Sequence, residues 1–277
     1  MKFGYTKKDT MKVKKKNLRK DNKLKISFCM TCMNRLHHVE RTLEQSIIAN
    51  QSYQNVEFVL LDYNSKDGLE AWVKERMMKY IESGILNYYQ MDNPKPRFFN
   101  MTHAKNVAHK LGIGDILCNL DADNFVLDGA ADYLMDVFWN NFDEDIFVAP
   151  CRKGFSGAGV WGRICARKKK FYKVGGYNEV WNRWGGDDHD YNMRLKMSGS
   201  KWVCHDVRYL RCINHSSIER FGKYKRINGK MMKHRTAGSR SWRKFSSYIK
   251  QYGYKANHGK HWGQANLIKN FKTLIII

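Results

Sequence analysis

Short apolar runs separated by helix-length segments dominate the first 120 residues, and their spacing constrains the fold more than any other feature of the chain. Residues 25–30 (Lys25-Ile26-Ser27-Phe28-Cys29-Met30), 56–61, 85–90 and 115–120 each read as a buried strand. Between them, residues 36–49 place Val39, Leu43 and Ile47 on one helical stripe, and 69–81 and 102–111 also read as helices. Asn64-Ser65-Lys66-Asp67-Gly68 supplies turn chemistry after the second strand. Strands alternating with helices at this spacing predict a right-handed, mostly parallel α/β sheet flanked by helices. Ligands of such sheets bind beyond the carboxyl ends of the strands. Three polar or acidic loops fall at those ends, at 31–35, 62–67 and 121–124.

Beyond residue 145 the pattern changes. Residues 146–150 read as a further strand, 154–162 are glycine-rich, and Arg167 to Lys170 form a basic run. Gly175-Gly176-Tyr177-Asn178-Glu179 is a turn, and Gly185-Gly186-Asp187-Asp188-His189-Asp190 opens a helix over 191–197.

With 277 residues, 43% hydrophobic and 13% aromatic, the chain can bury a large core, and with only three prolines it is not a disordered protein. No run approaches 18 consecutive apolar residues, so no membrane span is expected, and Leu274-Ile275-Ile276-Ile277 is too short to be one. Met1 to Lys25 has no apolar core of the kind a secretory leader carries. Seven scattered cysteines read as mostly reduced thiols, so a cytoplasmic protein is expected.

The net charge of +24 is unevenly placed. Residues 1–25 carry 11 Lys/Arg against 2 Asp/Glu, and 221–277 carry 14 against none, leaving 25 basic and 24 acidic residues in 26–220. The expected organisation is a basic N-terminal appendage over 1–24, one α/β domain over 25–220, and a basic, aromatic C-terminal appendage over 221–277. Such appendages suit an anionic membrane surface, which would make the protein peripheral, or an acidic glycan. A nucleic-acid binder should run its basic groove through the domain rather than flank it, so nucleic acid is disfavoured. A lysine-rich solvated surface without a partner explains the charge equally well.

Four constellations could carry chemistry. Asp121-Ala122-Asp123 follows an apolar strand, where two carboxylates can share a divalent cation with a pyrophosphate. It is no EF-hand, because Phe125 and Val126 stand where that loop needs Asp/Asn and Gly. Asp187-Asp188-His189-Asp190 follows two glycines, so a base there could reach a substrate, and helix capping is the alternative. Cys212-Ile213-Asn214-His215 could complete a metal site. Cys29-Met30-Thr31-Cys32 could be a redox or zinc pair, although no second C-x-x-C accompanies it.

Taken in order, these segments resemble the nucleotide-sugar-dependent GT-A glycosyltransferases over about residues 25–220. The first half is similar to the large family-2 group. Ile26 to Thr31 with Asn34-Arg35 matches its opening strand and loop, and Leu60 to Gly68 its second loop. Ala104-Lys105-Asn106 matches the helix before the metal motif, and Leu120 to Asn124 the D-x-D. The second half is similar to β-1,4-galactosyltransferases in Gly175 to Asn178, Trp184 to Asp190 and Cys212 to Ser216.

The resemblance implies a single-domain, Rossmann-like GT-A fold and metal-dependent, inverting transfer from a UDP-sugar to a glycan or glycoconjugate hydroxyl. Mn²⁺ is the expected metal and Mg²⁺ the alternative. It implies Asp123 and His215 as metal ligands. Cys212 stands where galactosyltransferases place a methionine ligand. Asp121, with Ala122 beside it, would face the ribose or a metal-bound water. Thr31, Arg35, Asp62, Tyr63 and Asn106 would line the nucleotide, with Phe99 stacked on its base, and Tyr63 departs from the acid or Asn usual there. Asp188 would be the base, Trp184, Gly186, Asp187 and His189 the acceptor side. A non-catalytic module that binds an anionic surface, a glycan or nucleic acid is the rival class.

Overall fold

The computed structural model describes residues 24–92, 95–151, 159–182, 185–214, 216, 247–259 and 261–277. In chain order they form β1 (Ile26–Cys32), α1 (Leu36–Asn50), β2 (Val56–Asp62), α2 (Leu69–Arg76), α3 (Met78–Glu82), β3 (Leu86–Met91), α4 (Met101–Leu111), β4 (Ile116–Asp121) and β5 (Asn124–Val126). Then follow α5 (Ala130–Asn140), β6 (Ile146–Ala149), β7 (Cys165–Arg167), α6 (Lys168–Lys173), α7 (Asp187–Met197), β8 (Lys201–Cys204), β9 (Leu210–Cys212), β10 (Asn266–Lys269) and β11 (Thr273–Ile276). The helix expected over 69–81 is two helices, because the chain leaves helical geometry at Met77 (φ −113°).

A nine-stranded sheet has the order β11-β10-β3-β2-β1-β4-β7-β6-β8, and β5 and β9 form a separate pair. The block β3-β2-β1-β4 is parallel, and antiparallel strands flank it on both sides. Every residue of β1 and β2 is buried, as expected of parallel strands covered on both faces. Alternate side chains enter two cores. Ile26, Phe28 and Met30 pack with Val39, Leu43 and Ile47 of α1, while Cys29, Val59 and Leu61 pack with Ala104, Val107 and Ala108 of α4. Cys29 and Cys32 therefore lie in different cores on opposite faces, which removes the redox or zinc-pair reading. The register sets Thr31 beside Leu61 and Asp121, and Cys32 beside Asp62, so all three loops singled out in the sequence meet at one sheet edge.

Two expectations are corrected. The described part of 221–277 is no appendage: β10 pairs with β3, Leu267 stands opposite Met91, and Leu267 is fully buried. Residues 266–276 close what would otherwise be an open edge at β3. The closing apolar run forms the new edge strand, with Ile276 72% exposed. The second correction concerns the thiols. Parallel β6 and β8 set Ala149 beside Cys204, and Cys151, two residues on, is disulfide-bonded to Cys204. Such bonds persist mainly in oxidising compartments, so the thiol argument for a cytoplasmic chain is lost. Among the described residues no helix is long and apolar enough to cross a membrane.

Candidate active site

The acidic pair is built by a tight exit from β4. Asp121 is the last residue of that strand, and the chain re-enters extended structure at Asn124. The turn is held to α1 where the Thr42 hydroxyl donates 2.8 Å to the Ala122 carbonyl. Asn119 donates to Asp121 at 3.1 Å, and Asn124 to Asp123 at 2.8 Å. Burial pushes the Asp121 carboxyl up, Lys105 opposes this, and Asp123 adds to it. Antiparallel pairing sets Asn124 opposite Cys212, and the Ile213 amide donates 2.7 Å to the Asp123 carbonyl. The segment predicted to complete a metal site is thus stitched to the second acid. His215 and Trp184 lie outside the described residues.

At the start of α7, Gly185 (φ 93°) and Gly186 (φ 95°) take left-handed backbone that a Cβ would strain. The N-cap of α7 is Gly186, which has no side chain to cap with, and three acids follow it in the first turn. Asp190 pairs with Arg194 at 2.7 Å, both fully buried. Asp187 and Asp188 share one partner from across the fold. Lys105, on α4 and 1% exposed, donates 2.7 Å to each. Asp187 is itself 1% exposed, so its carboxylate does not border an acceptor pocket as expected. The Asp188 side chain keeps 28% of its surface, so of the two it is the one open to a substrate. Burial, reinforced by Asp187 and Asp121 and opposed by Lys105, pushes its carboxyl up to about 7. The helix dipole favours the ionised form, but desolvation outweighs it.

Gly162 joins the two halves. A Cβ there would lie 2.6 Å from Asp121 Oδ2 and 3.3 Å from Asp188 Oδ2, so both carboxylates border one small space that only glycine leaves open. The donor set suits a hard cation: the Asp121 carboxylate borders an unfilled cradle, and Asp123 is close enough to raise the Asp121 carboxyl, so carboxylate oxygens of the kind Mg²⁺ or Mn²⁺ requires are at hand. Among the described residues no three of His, Cys, Asp and Glu gather to hold a metal ion, and His215 is not among them. Cys212 is half-buried, with its Sγ directed at Gly159.

The residues expected to line a nucleotide lie along the ends of β1, β2 and α4. Thr31 is 7% exposed beside Asp121. Arg35 precedes α1, 3.2 Å from His38. Asp62 is fully buried and accepts from Tyr88 (2.8 Å) and the Ser65 amide (2.6 Å). Burial raises its carboxyl against those bonds. Tyr63 is packed edge-on by Phe99 and bonded to His103 at 2.8 Å. His103 in turn contacts the Gln264 carbonyl at 2.9 Å. Asn106 has another task. Its amide donates to the Tyr177 carbonyl (2.8 Å) and to Glu179 (3.0 Å), and its carbonyl accepts from the Tyr177 amide (2.7 Å), so both amide protons are committed to the turn at Tyr177. His189 is exposed at the surface, and partial desolvation of its ring lowers its pKa.

Three groups of site residues escaped the sequence reading. A lysine in Ala104-Lys105-Asn106 reads as a surface cation until the fold buries it. Gly162 has no local signature beyond a glycine-rich stretch. Asn257 donates to the carbonyls of Gly175 (2.8 Å) and Tyr177 (2.9 Å) and accepts from the Glu179 amide (3.0 Å). The Gly263 amide also donates to Glu179 at 2.8 Å. The segment around 257–264 therefore clamps the turn that leads towards α7.

A family described as the N-terminal domain of galactosyltransferase matches residues 146–235, less than half of the chain. Three solved structures share the architecture. S. aureus TarS (residues 1–349) gives a TM-score of 0.55 at 15% identity, covering 68% of this chain and 59% of that one. The mannosyltransferase PcManGT from Pyrobaculum calidifontis, in complex with GDP-Man and Mn²⁺, gives 0.53 at 16%, covering 71% and 61%. GalNAc-T7 with UDP, GalNAc and Mn²⁺ gives 0.53 at 18%, covering 66% and 43%. The chain has the GT-A fold of glycosyltransferases. It spans less than two thirds of the length of each of those structures. No curated protein matches the sequence. In a GT-A frame the acids at the end of β4 and at the start of α7 face each other over Gly162.

Proposed function

We propose that the protein is a metal-dependent, inverting glycosyltransferase that moves a sugar from a UDP-sugar to a hydroxyl of a glycan or glycoconjugate. The observation that carries this reading is the meeting of Asp121 and Asp188 over Gly162, with Lys105 behind, in a GT-A fold. Structural neighbours solved with GDP-Man and Mn²⁺, and with UDP, GalNAc and Mn²⁺, support a nucleotide-diphosphate donor and a divalent ion. Asp123, Asp121 and the segment from Cys212 to His215 would hold Mn²⁺, or Mg²⁺ in its place, which as a Lewis acid stabilises charge on the departing diphosphate.

Asp188 accepts the proton of the acceptor hydroxyl as that oxygen bonds to the anomeric carbon and the carbon–phosphate-oxygen bond breaks, releasing UDP. A carboxyl brought up to about 7 suits a base that must take a proton at neutral pH. One displacement inverts the anomeric centre, so an α-linked donor yields a β-linked product. Lys105 holds Asp188 in place and keeps Asp187 buried. Thr31, Arg35, Tyr63 and Phe99 form the nucleotide side, with Asp62 fixing the loop behind them through Ser65 and Tyr88, and Gly186, His189 and Trp184 the acceptor side. The basic residues of 1–24 and 221–246 would meet an anionic glycan or membrane surface.

The test is UDP release from a panel of UDP-sugars with Mn²⁺, together with calorimetric UDP binding. Release with one sugar, and UDP affinity lost in EDTA or in Asp123→Ala without unfolding, are expected. Affinity unchanged by both would refute the metal reading. No release with any sugar, alongside glycan binding, would favour the non-catalytic module.

A further inference from the structure

The β5–β9 pair has two faces, and the reaction proposed above uses one. Asn124 and its cross-strand partner Cys212 point to Gly159, on the side of the acids: the Asn124 amide donates 2.9 Å to the Gly159 carbonyl. Their neighbours Phe125 and Arg211 are also directly paired and, by the alternation of a strand, point to the other side. There a groove of about 630 Å³ is lined by Arg41, Gln45, Phe125 and Arg211, and it reaches round the end of β9 to Cys212, Ile213 and Asn214. The Arg211 guanidinium is pinned 4.0 Å over the Phe125 ring. Arg41 and Gln45 stand one turn apart on α1, both exposed.

Among the described residues no carboxylate pairs with Arg41 or Arg211. Glu44, on the same helix, is turned away to Lys79 (3.2 Å) and Tyr80 (3.0 Å). Residues 26–220, which hold the groove, carry 25 basic and 24 acidic residues in all. Two guanidinium groups at one concavity with no acid between them are therefore not the background of a basic protein. Planar guanidinium forks match phosphate oxygens, and the amides of Gln45 and Asn214 add neutral donors. The volume exceeds that of a bare phosphate and suits a phosphorylated sugar or a headgroup.

We infer that this groove, which adjoins the donor site only through the Cys212–Asn214 segment, is a second ligand site whose two guanidinium groups bind a phosphoryl group. It does not depend on the transfer reaction, and its test reads binding alone. Titrate the full chain, Arg41→Gln and Arg211→Gln with inorganic pyrophosphate in EDTA, and with UDP in Mn²⁺. Each variant is expected to bind pyrophosphate about 10-fold more weakly or worse, as loss of a charge-assisted pair implies, with UDP affinity and thermal midpoint unchanged. Two further arms separate the sources: a soluble hexose phosphate, and phosphatidylcholine vesicles with and without phosphatidic acid. The arm that weakens in the variants names the source. Pyrophosphate affinity unchanged in both variants overturns the site, because phosphate is then held elsewhere. A parallel loss of UDP affinity overturns its separateness from the donor site.

Discussion

Replacing Lys105 by methionine removes a cation that pairs with two carboxylates from behind. The lysine is 1% exposed and bonds Asp187 and Asp188 at 2.7 Å each. Methionine fills much of the same volume, so the loss is electrostatic. Asp187, 1% exposed, is left as a buried charge without its partner, while Asp188 keeps 28% of its side-chain surface and loses less. Breaking one side of a buried pair costs about 3–5 kcal/mol, and most of that falls on Asp187. The sign with pH follows from Asp188, whose carboxyl is already raised to about 7 with lysine present. Without lysine it binds its proton more tightly in the folded state than in the unfolded one. The folded variant therefore loses stability as pH rises from acid through neutrality. Urea unfolding at pH 5 and pH 8 measures this, with a larger deficit expected at pH 8. Adding Asp187→Leu should recover most of the deficit, since the stranded charge is gone. A deficit below about 1 kcal/mol, or one equal at both pH values, would show that Lys105 does not compensate these acids.

Asp188→Asn removes the basic oxygen but keeps the size, so kcat should fall by about 10²–10⁴-fold with donor affinity within a few-fold. In the parent, kcat/KM should rise with pH through neutrality as Asp188 loses its proton, and that limb should vanish in the variant; near-parental turnover in Asp188→Asn would remove it as the base. Gly162→Ala puts a methyl 2.6 Å from Asp121 Oδ2 without demanding unusual backbone, so metal-dependent UDP binding should collapse while urea unfolding changes little. If UDP binds that variant normally, the space over Gly162 is not part of the site. Asn257→Ala breaks three bonds around the Gly175–Tyr177 turn, and a stability loss of about 1–3 kcal/mol with impaired donor use is expected. Deletion of 256–277, which also uncovers β3, should abolish donor binding; a folded truncation with full UDP affinity would return the segment to the status of an appendage.

What could be read without the fold was local. Continuous apolar runs such as 56–61 and the stripe Val39-Leu43-Ile47 report their own burial, and Asn64 to Gly68 and the two glycines at 185–186 report their own backbone, because each depends on neighbours within a turn or a strand. The position of the acidic pair followed too, since a loop at the carboxyl end of a parallel strand lies where ligands bind. The rest was settled by contacts between distant residues that leave no periodic trace. Lys105 and Asp187 are 82 positions apart, and Asn257 and Gly175 also 82. Which of Asp187 and Asp188 faces solvent depends on how Lys105 of α4 meets the start of α7. Asn106 looked like a nucleotide contact until the Tyr177 backbone took up its amide. The last strands looked like a tail because net charge says nothing about pairing, and only the open edge of β3 explains why a basic segment folds back into the sheet.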